Sequence, residues 1–141
     1  KLWKSRRPLK FKKKAAQELL KQLETEWLSF NQDEQALALP NTVSQINALL
    51  KRLIATDYSQ ALHLHGSRWT DFLTAQNTHV EFSETDRQRL AEAGYQPVSL
   101  TREAELSGLF QSAAKWIQSY QPVAQSSEFE HSKSDNQETT A

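Results

Sequence analysis

His63 and His65 form a His-x-His pair, the spacing that lets two imidazoles share a metal when the segment is a strand, because alternate strand residues lie on one face. On a helical turn the same two side chains diverge. No third ligand stands at a diagnostic distance, since His79 falls in a predicted loop and His131 in a polar tail, so the pair reads as solvated or structural. Acid–base chemistry needs two carboxylates converging on one point. The closest pairs, Glu24/Glu26, Glu84/Asp86 and Glu103/Glu105, are each two apart in predicted helices and so point in different directions. There is no Gly-x-Ser-x-Gly elbow and no glycine-rich phosphate loop. Cysteine is absent, which excludes disulfides, thiolate zinc sites and thiol nucleophiles. These residues assign no catalytic group, no metal and no cofactor, and the expectation is a non-enzymatic protein.

The strongest chemical signal is charge. Eight of the first fourteen residues are basic: Lys1, Lys4, Arg6, Arg7, Lys10, Lys12, Lys13 and Lys14. The formal net charge of zero conceals this segregation, because residues 15–121 and 122–141 are both net acidic. Trp3 sits within the basic run and outside any predicted core. Positive charge flanking a hydrophobic span fixes its cytoplasmic side, and Trp favours the headgroup level. We therefore expect residues 1–8 to be the juxtamembrane exit of an anchor that precedes Lys1, with Trp3, Lys4, Arg6, Arg7, Lys10, Lys12, Lys13 and Lys14 facing an anionic membrane surface. The expected location is the bacterial inner membrane, single-pass, with this domain in the cytoplasm. A basic arm also suits nucleic acid, but phosphate-directed binding would have to work beside an otherwise acidic domain, so that reading is the alternative.

The elements that must position these residues are helical. A chain of 141 residues suits one domain, and three Gly with four Pro leave little material for the tight turns of an all-β fold. Ala16, Leu19, Leu20, Leu23, Trp27 and Phe30 recur with helical spacing and predict a first helix from about Leu9 to Asn31. A polar break at Asn31–Gln35 is expected to separate it from a second helix opening near Leu39-Pro40-Asn41-Thr42. That helix would bury Val43, Ile46, Leu49, Leu50, Leu53 and Ile54, with Lys51 and Arg52 pointing away. Residues 61–65 allow a helical turn ended by Gly66. A third helix is expected to start at Ser67 as N-cap and to bury Trp69, Phe72 and Leu73. Ser83 and Asp86 resemble the cap of a short fourth helix with Phe82 and Leu90 as core contacts. Tyr95–Leu100 reads as extended around Pro97. Thr101 would cap a last helix burying Leu106, Leu109, Phe110, Ala113, Trp116, Ile117 and Tyr120. The predicted architecture is all-α: a compact bundle of about five helices over residues 9–121, followed by a tail at 122–141 too polar to offset its ordering entropy.

Ile46-Asn47-Ala48-Leu49-Leu50-Lys51-Arg52, Leu64-His65-Gly66-Ser67-Arg68-Trp69-Thr70-Asp71-Phe72-Leu73, Tyr95 and Lys115-Trp116-Ile117 resemble a bacterial domain-of-unknown-function family. The similarity spans roughly residues 1–121, and its most specific elements are Gly66, Trp69, Phe72 and Leu73 with the later Trp116-Ile117 pair. The resemblance implies one N-terminal transmembrane helix, a basic stretch and a small cytoplasmic helical domain. It also implies genes encoded beside a MoxR-type AAA+ ATPase and von Willebrand factor A domain proteins, in clusters of the Bat (aerotolerance) kind. The matched positions are packing residues, so what transfers is architecture and partners. The expected role is a membrane-anchored adaptor or scaffold for such an ATPase or A-domain protein.

Overall fold

A computed structural model describes residues 11–93 and 105–121, and within them the protein is all-helical, with no strand. Five α-helices follow in order: α1 (Lys13–Ser29), α2 (Gln32–Ala55), α3 (Gly66–Ala75), α4 (Glu84–Ala91) and α5 (Ser107–Ser119). A short 3-10 helix, Ser59–His63, links α2 to α3. Trp3, Lys4, Arg6, Arg7 and Lys10, the extended reading of Tyr95–Leu100, Thr101 and the tail at 122–141 lie outside the described residues.

α2 is the axis of the bundle, packing against α1, α4, α5 and the 3-10 helix, while α1 also meets α5 and α3 meets α4. Its stripe of Leu39, Val43, Ile46, Leu49, Leu50, Leu53 and Ile54 is buried, as the spacing predicts. Its start corrects the sequence reading. The helix opens at Gln32, not near Pro40, because Asn31 and Glu34 form a reciprocal capping box. The Glu34 N–H donates to Asn31 Oδ1 and the Asn31 N–H to Glu34 Oε1, each at 2.8 Å, so two orphan donors of the first turn are satisfied. Pro40 then sits inside the helix, where it offers no N–H to the carbonyl four residues back. Such a proline costs about 3 kcal/mol, and several leucine-sized side chains worth roughly 1.5–3 kcal/mol each are buried along the same helix. Burial outweighs the missing bond, and α1 and α2 become a hairpin closed by Phe30 and Asn31.

The α1 stripe is less complete than its periodicity implies. Ala16, Leu20 and Trp27 are buried and Leu23 and Phe30 half-buried, but Leu19 is 37% exposed. α3 starts two residues earlier than predicted and with a different cap. His65 is its N-cap, the Trp69 N–H donates to the His65 carbonyl at 3.2 Å, and Ser67 lies within the first turn. Gly66 makes this entry possible: at φ +59° it occupies the left-handed region, so it opens α3 instead of ending the preceding turn. α4 is capped as predicted, Ser83 Oγ accepting from the Asp86 N–H at 3.1 Å, with Phe82 and Leu90 buried. α5 corrects the expected cap at Thr101: it begins at Ser107 with Leu106 as N-cap, the Ser107 N–H donating to the Glu105 carboxylate at 2.8 Å, and buries Leu109, Phe110, Ala113, Trp116 and Ile117, with Leu106 and Tyr120 buried at its flanks.

Candidate functional site

Two regions collect the residues that sequence reasoning singled out, and they differ in what is left free to interact. The first is the contact of α2, α3 and α5, where the residues of the family resemblance meet. Trp69 and Trp116 are almost completely buried, as are Leu73 and Ile117. Each indole N–H has a partner: Trp69 Nε1 donates to Asn47 Oδ1 at 2.6 Å, and Trp116 Nε1 donates to the Leu73 carbonyl at 3.2 Å. Asn77 Nδ2 donates to the Trp116 carbonyl and to Ser119 Oγ, both at 2.9 Å, so the loop after α3 is fastened to the end of α5. The Trp116 ring stacks on Tyr120 at 4.7 Å between centroids, 14° from parallel. Phe72 is a partial exception to the predicted burial. It is half-buried and meets Tyr58 edge-on at 5.8 Å, because residue 72 lies at the flank of the stripe centred on Trp69 and Leu73.

Lys51 also departs from the expectation that it points away. Its Nζ donates to the Leu64 carbonyl at 2.6 Å and lies 5.3 Å from the centre of the Trp69 ring. Burial pulls its ammonium below the ordinary lysine value. Tyr120 completes the cluster by donating from its hydroxyl to Asp57 Oδ2 at 3.0 Å. Burial, followed by that hydrogen bond and the aspartate charge, pushes the phenol far above its usual range. Every one of these groups is engaged in holding the bundle together, and the arrangement offers no free nucleophile, acid or base to an outside molecule.

A smaller polar knot joins α4 to the start of α5. Arg89 Nη1 donates to the Glu105 carbonyl at 2.7 Å. Burial pushes the neighbouring Asp86 carboxyl above its ordinary value, against a hydrogen bond from Ser83 and the Arg89 charge. Glu105 is exposed and shifted the other way, because the Ser107 hydroxyl and N–H both donate to its carboxylate. Asp86 and Arg89 were not anticipated as buried; a short, very polar helix carries no periodic signal for it. Among the described residues no three His, Asp or Glu side chains converge as metal ligands. His63 ends the 3-10 helix and His65 caps α3, both exposed.

The second region is a groove of about 360 Å³ along the outer seam of α1 and α2. α1 contributes Leu19, Gln22, Leu23 and Glu26; α2 contributes Gln45, Ala48, Leu49 and Arg52. Both sets have the same spacing, i, i+3, i+4 and i+7, so each helix presents one two-turn rail. Phe11 closes one end, with the Arg52 guanidinium 4.0 Å above its ring centre, and Glu26 stands at the other end. The floor is apolar and the two ends carry opposite charge.

The groove begins where the basic arm enters the fold. Lys12 and Lys14 are exposed beside Phe11, whereas Lys13 is half-buried and its Nζ donates to the Gln118 carbonyl at 2.9 Å, in the last turn of α5. A cation there satisfies a terminal carbonyl and opposes the negative end of the helix. Lys13 is therefore committed to the fold, and of the described lysines in the arm Lys12 and Lys14 are the exposed ones. No described helix is long and apolar enough to cross a membrane.

No curated protein and no solved structure matches this chain. A family model described as a domain of unknown function, DUF4381, matches residues 1–119, taking in the basic arm, both rails of the groove and the tryptophan core, and the chain belongs to that family.

Proposed function

We propose that the protein is a non-enzymatic adaptor, held at the cytoplasmic face of a bacterial inner membrane, that engages a MoxR-type AAA+ ATPase or a von Willebrand A domain protein. The observation that carries this reading is the groove between α1 and α2, whose apolar floor is left open at the point where the basic arm joins the domain. A docking surface needs apolar area not already used by the core together with charges that set orientation, and this seam has both. The tryptophan cluster is the wrong place for such a role, since its polar atoms are already paired. The choice of partners rests on the family resemblance. Membrane attachment is supported by the charge and Trp pattern of residues 1–14, which would flank about 20 apolar residues upstream.

The test is capture by the full chain of the purified ATPase and of the purified A-domain protein encoded beside it. Leu19→Asp and Ala48→Asp, both at exposed positions of the groove, should abolish capture while leaving the unfolding midpoint nearly unchanged. Capture that survives both substitutions would refute the groove as the docking surface. Anionic vesicles should bind through the arm, and an oligonucleotide held more tightly than vesicles at near-physiological salt would favour the nucleic-acid alternative.

A further inference from the structure

We propose that the α1–α2 groove is the interface of a homodimer, in which a second copy of this chain lies antiparallel over the first about a two-fold axis passing through Leu19. The inference rests on the reading of the groove as a docking surface and names an occupant that competes with any other partner. Its test involves no other protein, so either reading can fail alone.

The described charges of the α1–α2 hairpin are sorted by end. Lys12, Lys14 and Arg52 are exposed at the end marked by Phe11, while Lys13 beside them is taken up by the Gln118 carbonyl. Glu24, Glu26, Asp33 and Glu34 stand towards the end where the two helices join. Glu18 and Lys21, of opposite sign, straddle the middle, and Lys51 is engaged with the Leu64 carbonyl. Along the groove the order is symmetric in position and opposite in sign. Lys12, the N-cap of α1, and Glu26 each lie seven residues from Leu19, and seven residues bring a helix back to the same face within about 20°.

A two-fold interface must be self-complementary, because the same patch serves both copies. An axis running parallel to the helices would lay Lys12 and Arg52 on their own counterparts and Glu26 on Glu26. An axis crossing the helices at Leu19 exchanges the ends. Glu26 of each copy then arrives at Lys12 and Arg52 of the other, Lys14 reaches the level of Glu24, and Glu18 comes near the level of Lys21. Asp33 and Glu34 lie towards the basic end of the second copy. The two Leu19 side chains meet over the floor of Leu23 and Leu49, which accounts for an apolar residue left 37% exposed at the centre of the face. Charge therefore selects the crossing axis.

The size of the face sets the strength. The 17-residue α1 is about 25 Å long and two adjacent helices are about 20 Å wide, roughly 500 Å² per copy. The pair buries about 1,000 Å², the lower bound for a specific interface, so the dimer is weak and exchanges with monomer.

Sedimentation of the full chain over a concentration series, with the unfolding midpoint measured alongside, is the test. The chain should dimerise with a dissociation constant of about 10 μM to 1 mM, weakening severalfold as salt rises from about 0.05 to 0.5 M. Glu26→Lys makes both ends basic, and Lys12→Glu combined with Arg52→Glu makes both acidic. Each variant should lose about tenfold or more in self-association with its midpoint nearly unchanged, and an equal mixture of the two should recover a heterodimer. The chain has no native cysteine, so Leu19→Cys should oxidise to a covalent dimer, since a residue on the axis meets itself. Leu28→Cys, on the opposite face and 67% exposed, should not. A chain that stays monomeric to about 1 mM overturns the proposal. So does a dimer that survives the charge reversals, a mixture of the two variants that fails to associate, or oxidation of Leu28→Cys in preference to Leu19→Cys.

Discussion

The tryptophan core and the α1–α2 groove are built from the same helical periodicity, yet one is closed and the other open. In the core, Trp69 and Trp116 bury whole indoles and each N–H finds an acceptor on another element. In the groove, Leu19 and Leu23 continue the stripe of Ala16 and Leu20, and nothing among the described residues covers them fully. The residues that make the sequence distinctive are thus consumed by the fold, and the surface available for recognition is made of commonplace ones. The residues that carry the family resemblance and the open groove occupy different parts of this chain.

That contrast can be broken most forcefully from the core side. Trp69→Ala and Trp116→Ala should each cost about 3–5 kcal/mol, read as a fall in the denaturation midpoint, because each removes a buried large aromatic. Trp69→Phe should cost less, about 1–3 kcal/mol, most of it from leaving Asn47 Oδ1 buried without its donor. Gly66→Ala should cost about 1–2 kcal/mol; its φ of +59° disfavours any Cβ even though no atom lies near enough to clash. If Gly66→Asn recovers part of the loss, backbone strain is the cause.

The alkaline limb of stability should depend on Tyr120. Its proton is retained in the folded state at pH values where the unfolded chain has lost it, so the contribution is complete below the usual tyrosine value and declines as pH rises beyond it. Tyr120→Phe should flatten that decline between about pH 9 and 11 and cost about 1 kcal/mol at neutral pH. A decline of unchanged slope would place the alkaline sensitivity elsewhere. The smallest effects on stability belong to the groove. Leu19→Ser and Arg52→Gln should each change it by less than about 0.5 kcal/mol, as exposed positions do, and a larger loss would mean the groove is a structural seam after all.

The core was legible because burial there follows a helical repeat with few interruptions. Val43 to Ile54 and Leu106 to Tyr120 could be assigned to buried faces from spacing alone, and the structure agrees. The start of α2 was misread because Pro40 outweighed a capping signal that was present in Asn31-Gln32-Asp33-Glu34; local chemistry won where the proline's cost was covered by packing. Asn47 and Trp69 are 22 residues apart, and their bond depends on how α3 crosses α2, which no periodicity encodes. The groove was invisible for a related reason. Spacing states which side chains share a face, and says nothing about whether another element covers it, so Leu19 and Leu23 read as core. Lys13 likewise looked like one more member of a basic run until α5 supplied its carbonyl.

The meeting of Lys13 with Gln118 also has a mechanical meaning. The first and last helices are joined at the end where both termini leave, so tension applied between those termini acts across that junction instead of along the bundle. Under such a load α1 and α5 would peel apart contact by contact from the Lys13 end, a geometry that yields to small forces because few interactions are strained at once. A tether attached to the arm would transmit pull most gently when the opposing load enters elsewhere, through the α1–α2 turn at Phe30, where both helices share the strain in shear.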